Sequence, residues 1–423
     1  MTEFSVMALF ICYLKKQEEM KLKGKLATKL IVLVAALALV VGMVAACGGS
    51  NTPAPASSGS SAVVPAGSGA AGDADAEAAA AVDELIAAIQ VQEWTEGNDE
   101  RCAEAKAAWD ALTDAQKELV EEYDYFGRDT GDASQDDPRN QDDIGENELL
   151  VVSFGTSFNQ SRTMDIGTIE SALAEANPDW SVRRAFTAQI IINHILARDG
   201  VKIDNMQQAL DRAVENKVQN LVVQPTHLMH GAEYDELVGI LDGYKDKFES
   251  VKVAEPLLGE VGADPSVINA DKETVAKAVV NSTMGQFGGI EQADSEGYAL
   301  VLMGHGTSHE ANVTYNQMQA QMDALGYKNV FIGTVEGEPE DTECSVVIDK
   351  VKEAGYKKVI LRPLMVVAGD HANNDMADEE DPESWYSMFK ASGNFDDVIC
   401  IVEGLGRIPE VEQLYVAHTN AVK

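Results

Sequence analysis

From Glu148 to the C-terminus, apolar strand-like runs alternate with helix-like runs, and the whole alternation occurs twice. ELLVVSF is followed by a helical pattern over 161–176, and SVRRAFT by patterns over 188–197 and 206–216. NLVVQP leads into 232–244, and VKVAEPLL into 271–284. At Tyr298 the order restarts with YALVLMGHG, NVFIGTVE, KVILRPLMVVAG and VICIVEGLG, with helical patterns over 311–324, 343–354, 385–391 and 408–421. Strands this uniformly apolar need cover on both faces, and intervening helices supply it, which is the signature of parallel sheets. The halves read as copies. VVSFGTS corresponds to VLMGHGTS, with Gly155 opposite Gly306. VVQPTHLMHGAEY corresponds to ILRPLMVVAGDHA, which sets Pro225 opposite Pro363, Gly231 opposite Gly369 and Glu233 opposite His371. The expected fold is α/β: two similar doubly wound, Rossmann-like parallel-sheet domains, 148–290 and 297–423, facing a cleft. Ligands of such sheets bind beyond the carboxyl ends of the strands.

The first 147 residues are of another kind. From Met20, Lys21, Lys23, Lys25 and Lys29 precede the apolar run Leu30 to Val41, and Val44-Ala45-Ala46-Cys47 follows. This is the pattern of a secretory signal. It resembles a bacterial lipoprotein signal over 20–47, which implies a lipid on Cys47 and an extracytoplasmic protein anchored to the cell membrane. Met20 is read as the start. Residues 48–72 are Gly, Ser, Ala and Pro, a flexible tether. Residues 73–127 read as a small helical hairpin, with Val82, Leu85, Ile86 and Ile89 on one face, Cys102, Ala105, Trp109 and Leu112 on another, and Thr113 as an N-cap. It resembles modules that recur in bacterial surface proteins and is expected to pack or space. Residues 128–147, rich in Asp, Asn and Gln, read as a loose acidic linker. The formal charge of −38 argues against a nucleic-acid partner, which needs a basic surface. Cys102, Cys344 and Cys400 are too irregularly spaced for a metal motif or a disulfide framework, and a Cys344–Cys400 pair is left open.

The sheet rule sorts the seven histidines. His227, His305 and His371 stand at expected strand ends, with Glu336 in the same layer and His230 and His309 close by. His194 and His418 fall on helical patterns and read as structural or exposed. Imidazoles with a carboxylate suit a borderline divalent metal such as cobalt, iron, nickel or zinc, and histidine also accepts protons near neutral pH. The turns Gly155-Thr156-Ser157 and Gly304-His305-Gly306-Thr307-Ser308 suit an anion, phosphate or carboxylate, but neither is a Walker motif or GxGxxG.

VVSFGTS, RAFT, THLMHGAEYDEL, MGHGTSHEAN, TVEGEPE, RPLMVVAGDHANNDMA and GLGRIPEV occur in order from Leu149 onward. On these motifs the chain resembles the anaerobic cobalt chelatases, the sirohydrochlorin cobaltochelatase family, whose class II chelatase fold holds a tetrapyrrole between two similar α/β domains. The resemblance implies ATP-independent insertion of Co(II), with Fe(II) as a second metal, into sirohydrochlorin for cobalamin and tetrapyrrole metabolism. It implies His227, Glu336 and His371 as metal ligands and catalytic groups, with His227 also accepting pyrrole protons, and no nucleotide cofactor. Asp370 or a neighbouring amide is the expected orienting partner of His371. Glu338 departs from the family pattern, where an aromatic is more usual. The export signal favours an alternative, an extracytoplasmic lipoprotein that binds haem, another tetrapyrrole or metal for uptake. A homo-oligomer and a metal or tetrapyrrole transporter are partners the sequence leaves open.

Overall fold

The computed structural model describes residues 69–262, 264 and 266–423. The signal region 20–47, Cys47 and most of the tether lie outside the described residues. The first helix, α1 (Gly69–Ile89), already includes the last four residues assigned to the tether. With α2 (Asn98–Ala111) and two short helices, Asp114–Lys117 and Tyr123–Gly127, it buries Val82, Ile86, Ile89, Cys102, Ala105, Trp109, Val120 and Tyr125. Thr113 caps Asp114–Lys117 reciprocally with Gln116.

Among the described residues, eight strands form two parallel sheets of four. In the first, β1 (Asn147–Ser153), β2 (Ser181–Phe186), β3 (Asn220–Pro225) and β4 (Ser250–Val253) lie in the order β2-β1-β3-β4. In the second, β5 (Tyr298–Gly304), β6 (Val330–Thr334), β7 (Lys358–Pro363) and β8 (Asp397–Cys400) lie in the order β6-β5-β7-β8. The duplication extends to register. Asn147 pairs with Asn220 and Val152 with Pro225, as Tyr298 pairs with Lys358 and Met303 with Pro363. β3 and β7, one interior strand of each sheet, end at a proline, which has no N–H to extend the ladder. The apolar run 358–369 therefore stops being strand at Pro363; separately, in 251–258 the strand covers no more than Val253.

The connecting helices are α3 (Gly167–Ala176), α4 (Gln189–Asp199), α5 (Met206–Glu215), α6 (Ala232–Asp242), α7 (Ala270–Met284), α8 (Val313–Ala324), α9 (Cys344–Glu353), α10 (Trp385–Ala391) and α11 (Pro409–Val422). Two of them cross over. α7 follows the first sheet, yet its Thr283 hydroxyl accepts from Arg362 of β7 at 2.8 Å. α11 follows the second sheet, yet Tyr415 donates to the Thr226 carbonyl at 2.8 Å and Thr419 to Gln224 at 2.7 Å, both beside β3. The boundaries 148–290 and 297–423 divide the sequence, whereas in space each half contributes a helix to the other. One apolar cluster accordingly joins Leu149, Val151 and Val222 to Leu300, Leu302, Ile360 and Tyr415.

Segment 128–147 is not loose. Its Asp136 accepts from Arg162 at 2.7 Å and from Arg184 at 2.7 and 2.9 Å, with all three side chains almost without solvent contact. Arg184 also makes a two-pronged pair with Glu170 at 2.8 Å. Burial alone would raise the Asp136 carboxyl, but Arg184 and Arg162 outweigh it and hold the group below the usual range. The helical module docks on α4: Asn98 donates to Asn193, Asn193 to the Ile89 carbonyl, both at 2.9 Å, and the Tyr125 ring stacks on His194 at 3.9 Å. Burial lowers His194 to about 4, a structural histidine as expected. Cys344 and Cys400 do not pair; with Cys102 they are free thiols.

Removing one partner from a buried charge network leaves the others uncompensated. Asp136→Ala should cost about 3 to 5 kcal/mol, read as a lowered urea midpoint. Because the folded carboxyl is depressed, the contribution is present above the ordinary carboxylate range and lost as the pH falls through the folded value. The gap between variant and wild type should therefore narrow only in acid.

Candidate functional site

His227 lies two residues past the end of β3. The Thr226 carbonyl before it accepts from Tyr415, the Thr226 hydroxyl lies 2.6 Å from that of Ser153, and the His227 carbonyl accepts from Leu257 N at 3.0 Å. The backbone is fastened on every side, but the ring is not. Both imidazole nitrogens are buried and neither has a hydrogen bond. Burial pushes the imidazole down to about 4 against a weaker upward pull from Glu233, so the ring is neutral near pH 7. Buried polar atoms are nearly always paired. An orphaned, neutral imidazole is a lone pair kept ready for a partner from outside the chain.

The second sheet supplies the other groups. Glu336, two residues past β6 and exposed, has its N–H bonded to the His305 carbonyl at 2.9 Å. Gly306 (φ +93°) lies beneath it, and a Cβ there would come within 2.9 Å of the Glu336 Cβ. That close approach, not a phosphate, accounts for this glycine. Gly155 (φ +102°) is explained in the same way by the Phe186 ring, 2.5 Å from a Cβ placed there.

His371 does not end a strand. The chain leaves β7 at Pro363, runs as a loop, and enters a helical turn at Asp370 that widens to π geometry over Ala372–Met376. Such wide turns recur at functional sites. One helical turn on, Asp375 accepts from His371 Nδ1 at 2.8 Å, which leaves the Nε2 lone pair outward. The orienting partner is thus Asp375 and not Asp370, which accepts from Asn374 instead. Burial opposes the charged form of His371, but Asp375, Asp370 and Glu336 outweigh it and raise its pKa. His305 packs edge-on against His371 with ring centroids 4.6 Å apart, and its Nδ1 is held by the Gly306 carbonyl at 2.7 Å.

His371, His305 and Glu336 are therefore neighbours. His227 approaches them from the other domain through Glu233, whose charge acts on both His227 and Tyr315, while Tyr315 accepts from Gly306 N at 3.0 Å. The three expected ligands do not converge. Two donors on one metal at about 2.1 Å stand at most about 4.2 Å apart, and His227, Glu336 and His371 are not among the donor sets within 4.8 Å of one another in the described residues. Holding a single ion with all three requires their donor atoms to move together. Glu338 is exposed, its N–H bonded to Thr334. His309 lies 3.4 Å from Asp235 of α6.

Three side chains carried no readable signal in the sequence. Arg128 donates to Asn374 at 2.6 Å and lies 5.1 Å over the Phe158 ring, tying the His371 turn to the first domain. Phe154 and Met164, after β1, are large apolar side chains left exposed. Asp375 did leave a trace, since an Asp four residues after a His meets it on one helical turn.

Residues 147–423 match the family described as Cobalt chelatase (CbiK). The Sirohydrochlorin cobaltochelatase of Salmonella typhimurium is 33% identical over 272 residues, 64% of this chain and 94% of that protein. Sirohydrochlorin cobaltochelatase CbiKC of Nitratidesulfovibrio vulgaris is 31% identical over 247 residues, 58% of this chain and 80% of that protein. Among solved structures, SirB from Bacillus subtilis with Fe3+ aligns over 65% of this chain and 95% of that chain at 15% identity with a TM-score of 0.44, too loose a likeness to bear on the site.

The Asp375 bond favours protonated His371, so Asp375→Asn should lower the His371 pKa. An NMR titration of the ring resonances reads this directly, and an unchanged midpoint would show that Asp375 does not set it. The same protonation competes with metal at Nε2, so the acid limb of Co(II) binding should move to lower pH with it.

Proposed function

The chain belongs to the cobalt chelatase family, and on that premise we propose that it inserts Co(II) into sirohydrochlorin in the cleft between its two α/β domains. Co(II) is a substrate here, not a resident cofactor. His227, Glu336 and His371 hold it on one face of the macrocycle. The observation that carries this assignment is the buried, unbonded imidazole of His227. A neutral imidazole is what a borderline metal requires, and a protonated one would repel it.

Each Co(II) that enters the ring releases two pyrrole N–H protons, so charge balances without a redox partner. As Co(II) passes from its lone pair to the ring, His227 is freed to accept these one at a time as general base. Its low affinity for a proton, set by burial, makes it pass the proton on, and Glu233 is the exposed carboxylate whose charge already faces it. Glu336, on the opposite domain, offsets the cation's charge during transfer. His371, aimed by Asp375, completes the ligand set when the loops close. Phe154, exposed directly after β1, offers apolar surface of the kind a planar macrocycle covers.

Export is part of the proposal and rests on the sequence of 20–47 alone. Lipid on Cys47 anchors the protein outside the cytoplasm. That same stretch favours a second reading, a lipid-anchored tetrapyrrole, haem or metal binder that serves uptake.

Anaerobic absorbance of the full chain with sirohydrochlorin and Co(II), and in parallel Fe(II), separates the two. Catalytic metallation is expected, and His227→Ala should lower kcat by about 100-fold or more, the usual contribution of a general base. Tetrapyrrole binding with metallation no faster than in the variant would instead establish a binding protein. For the anchor, labelled fatty acid fed to the cells should be incorporated into the wild-type chain and not into Cys47→Ala. Equal labelling of both would rule out lipid on that residue.

A further inference from the structure

His227 is held in place from the other domain. Tyr415, on the helix that closes the second half of the chain, bonds the Thr226 carbonyl one residue before it. The second domain has an answering contact. Asp165 belongs to the first domain, in the π-turn Arg162–Ile166, and has no solvent exposure. Its carboxylate accepts from Ala368 N at 2.9 Å, three residues before His371, and from Arg407 Nε at 2.6 Å, in the loop after β8. The backbone of Gly404 bonds it as well. All three donors belong to the second domain.

The second domain is shaped to receive this side chain. A Cβ on Gly404 would stand 2.5 Å from the Asp165 carboxylate, and one on Gly406 would stand 2.1 Å from the Asp165 carbonyl. A buried carboxylate is costly unless its lone pairs are used, and three donors use them here. The tie reaches His371 within a few residues. The Asn373 side chain donates to the Gly369 carbonyl at 2.7 Å and to that of Ala368 at 3.4 Å, while Asn373 N donates to Gly369 at 3.2 Å. Asn373 thus closes over the residues that lead into the His371 turn. Gly369 packs on the first domain in turn, since a Cβ there would lie 3.2 Å from the Thr156 hydroxyl. The turn that holds Asp165 and the turn that follows His371 both have π geometry, a recurrent mark of functional sites. Asp375 aims the His371 ring, but it rides on the same turn and cannot say where that turn stands relative to the first domain.

We propose that Asp165 is the positioning residue for His371: acting from the first domain through Ala368, it sets where the second domain's imidazole stands in the cleft. The inference rests on the reading of His371 as a metal ligand. Each domain then places the histidine of the other, Tyr415 for His227 and Asp165 for His371. Asparagine cannot replace Asp165 in this role, because its single acceptor oxygen cannot serve donors that occupy both carboxylate oxygens.

The test is NMR of the full chain carrying isotope-labelled histidine, titrated without tetrapyrrole with Zn(II), a diamagnetic ion of the same borderline class. The ring signals of His371 and His227 are assigned by their loss in His371→Ala and His227→Ala. In the wild type both rings should take on metal-ligated nitrogen shifts over one range of Zn(II). In Asp165→Asn the His371 ring should lag at least about tenfold in Zn(II) behind that of His227. Because Asp165→Asn leaves Arg407 without its counter-charge, Asn373→Ala is the second variant; it keeps the buried pair and should give the same lag. A purely structural role would move both rings together or neither, and either result, in either variant, would overturn the proposal. No ligated shift of His371 in the wild type would overturn the ligand reading and this inference with it. A ligated His371 in a chain that fails to metallate sirohydrochlorin would remove the chelatase reading and leave the role of Asp165 standing.

Discussion

The hydroxyl of Tyr415 donates to the Thr226 carbonyl, one residue before His227. Tyr415 has no solvent exposure and belongs to the last helix of the chain, which folds back over the first sheet. Much else follows from this contact. The cleft can present a buried, unbonded imidazole only if the backbone around it does not relax to satisfy the ring. The crossing of α11 prevents such relaxation, and the answering crossing of α7, held by Arg362, ties the second sheet to the first in return. The two domains are thereby built into one core, and the loops at the strand ends carry the site.

Those loops hold two imidazoles in opposite electrostatic states. His227 is depressed by burial and neutral, while His371 is raised by carboxylates around it. The first is suited to ligation and to brief proton transfer, the second to a ligand position from which a proton must be displaced. Neither the acidity of the chain as a whole nor its many surface carboxylates makes this distinction. It comes from which elements close over each ring.

The sequence made the architecture legible because alternation and duplication are properties of the chain's period, and period maps directly onto strand and helix. Placing His227 and Glu336 just beyond strand ends followed from the same map. What stayed hidden depends on partners distant in sequence. SVRRAFT looks like an ordinary strand, and Asp136 like one acid in a polar stretch, yet together with Arg162 they form a buried network. A helix's apolar face does not say which sheet it will meet, so the exchange of α7 and α11 could not be seen. His418, read as structural or exposed, is buried because α11 crosses. The apolar run after Pro363 read as strand and is loop, because proline ends the ladder where hydrophobicity alone does not.

The central claim is that His227 is a metal ligand kept vacant by the fold. Crystals of the full chain soaked with Co(II), with anomalous diffraction collected at the cobalt edge, test it most directly. The account predicts a peak in the cleft about 2.1 Å from a His227 ring nitrogen, with the Glu336 and His371 loops drawn inward. A cleft peak bound by His371 and Glu336 alone, with the His227 ring still unbonded and the loops unmoved, would contradict it.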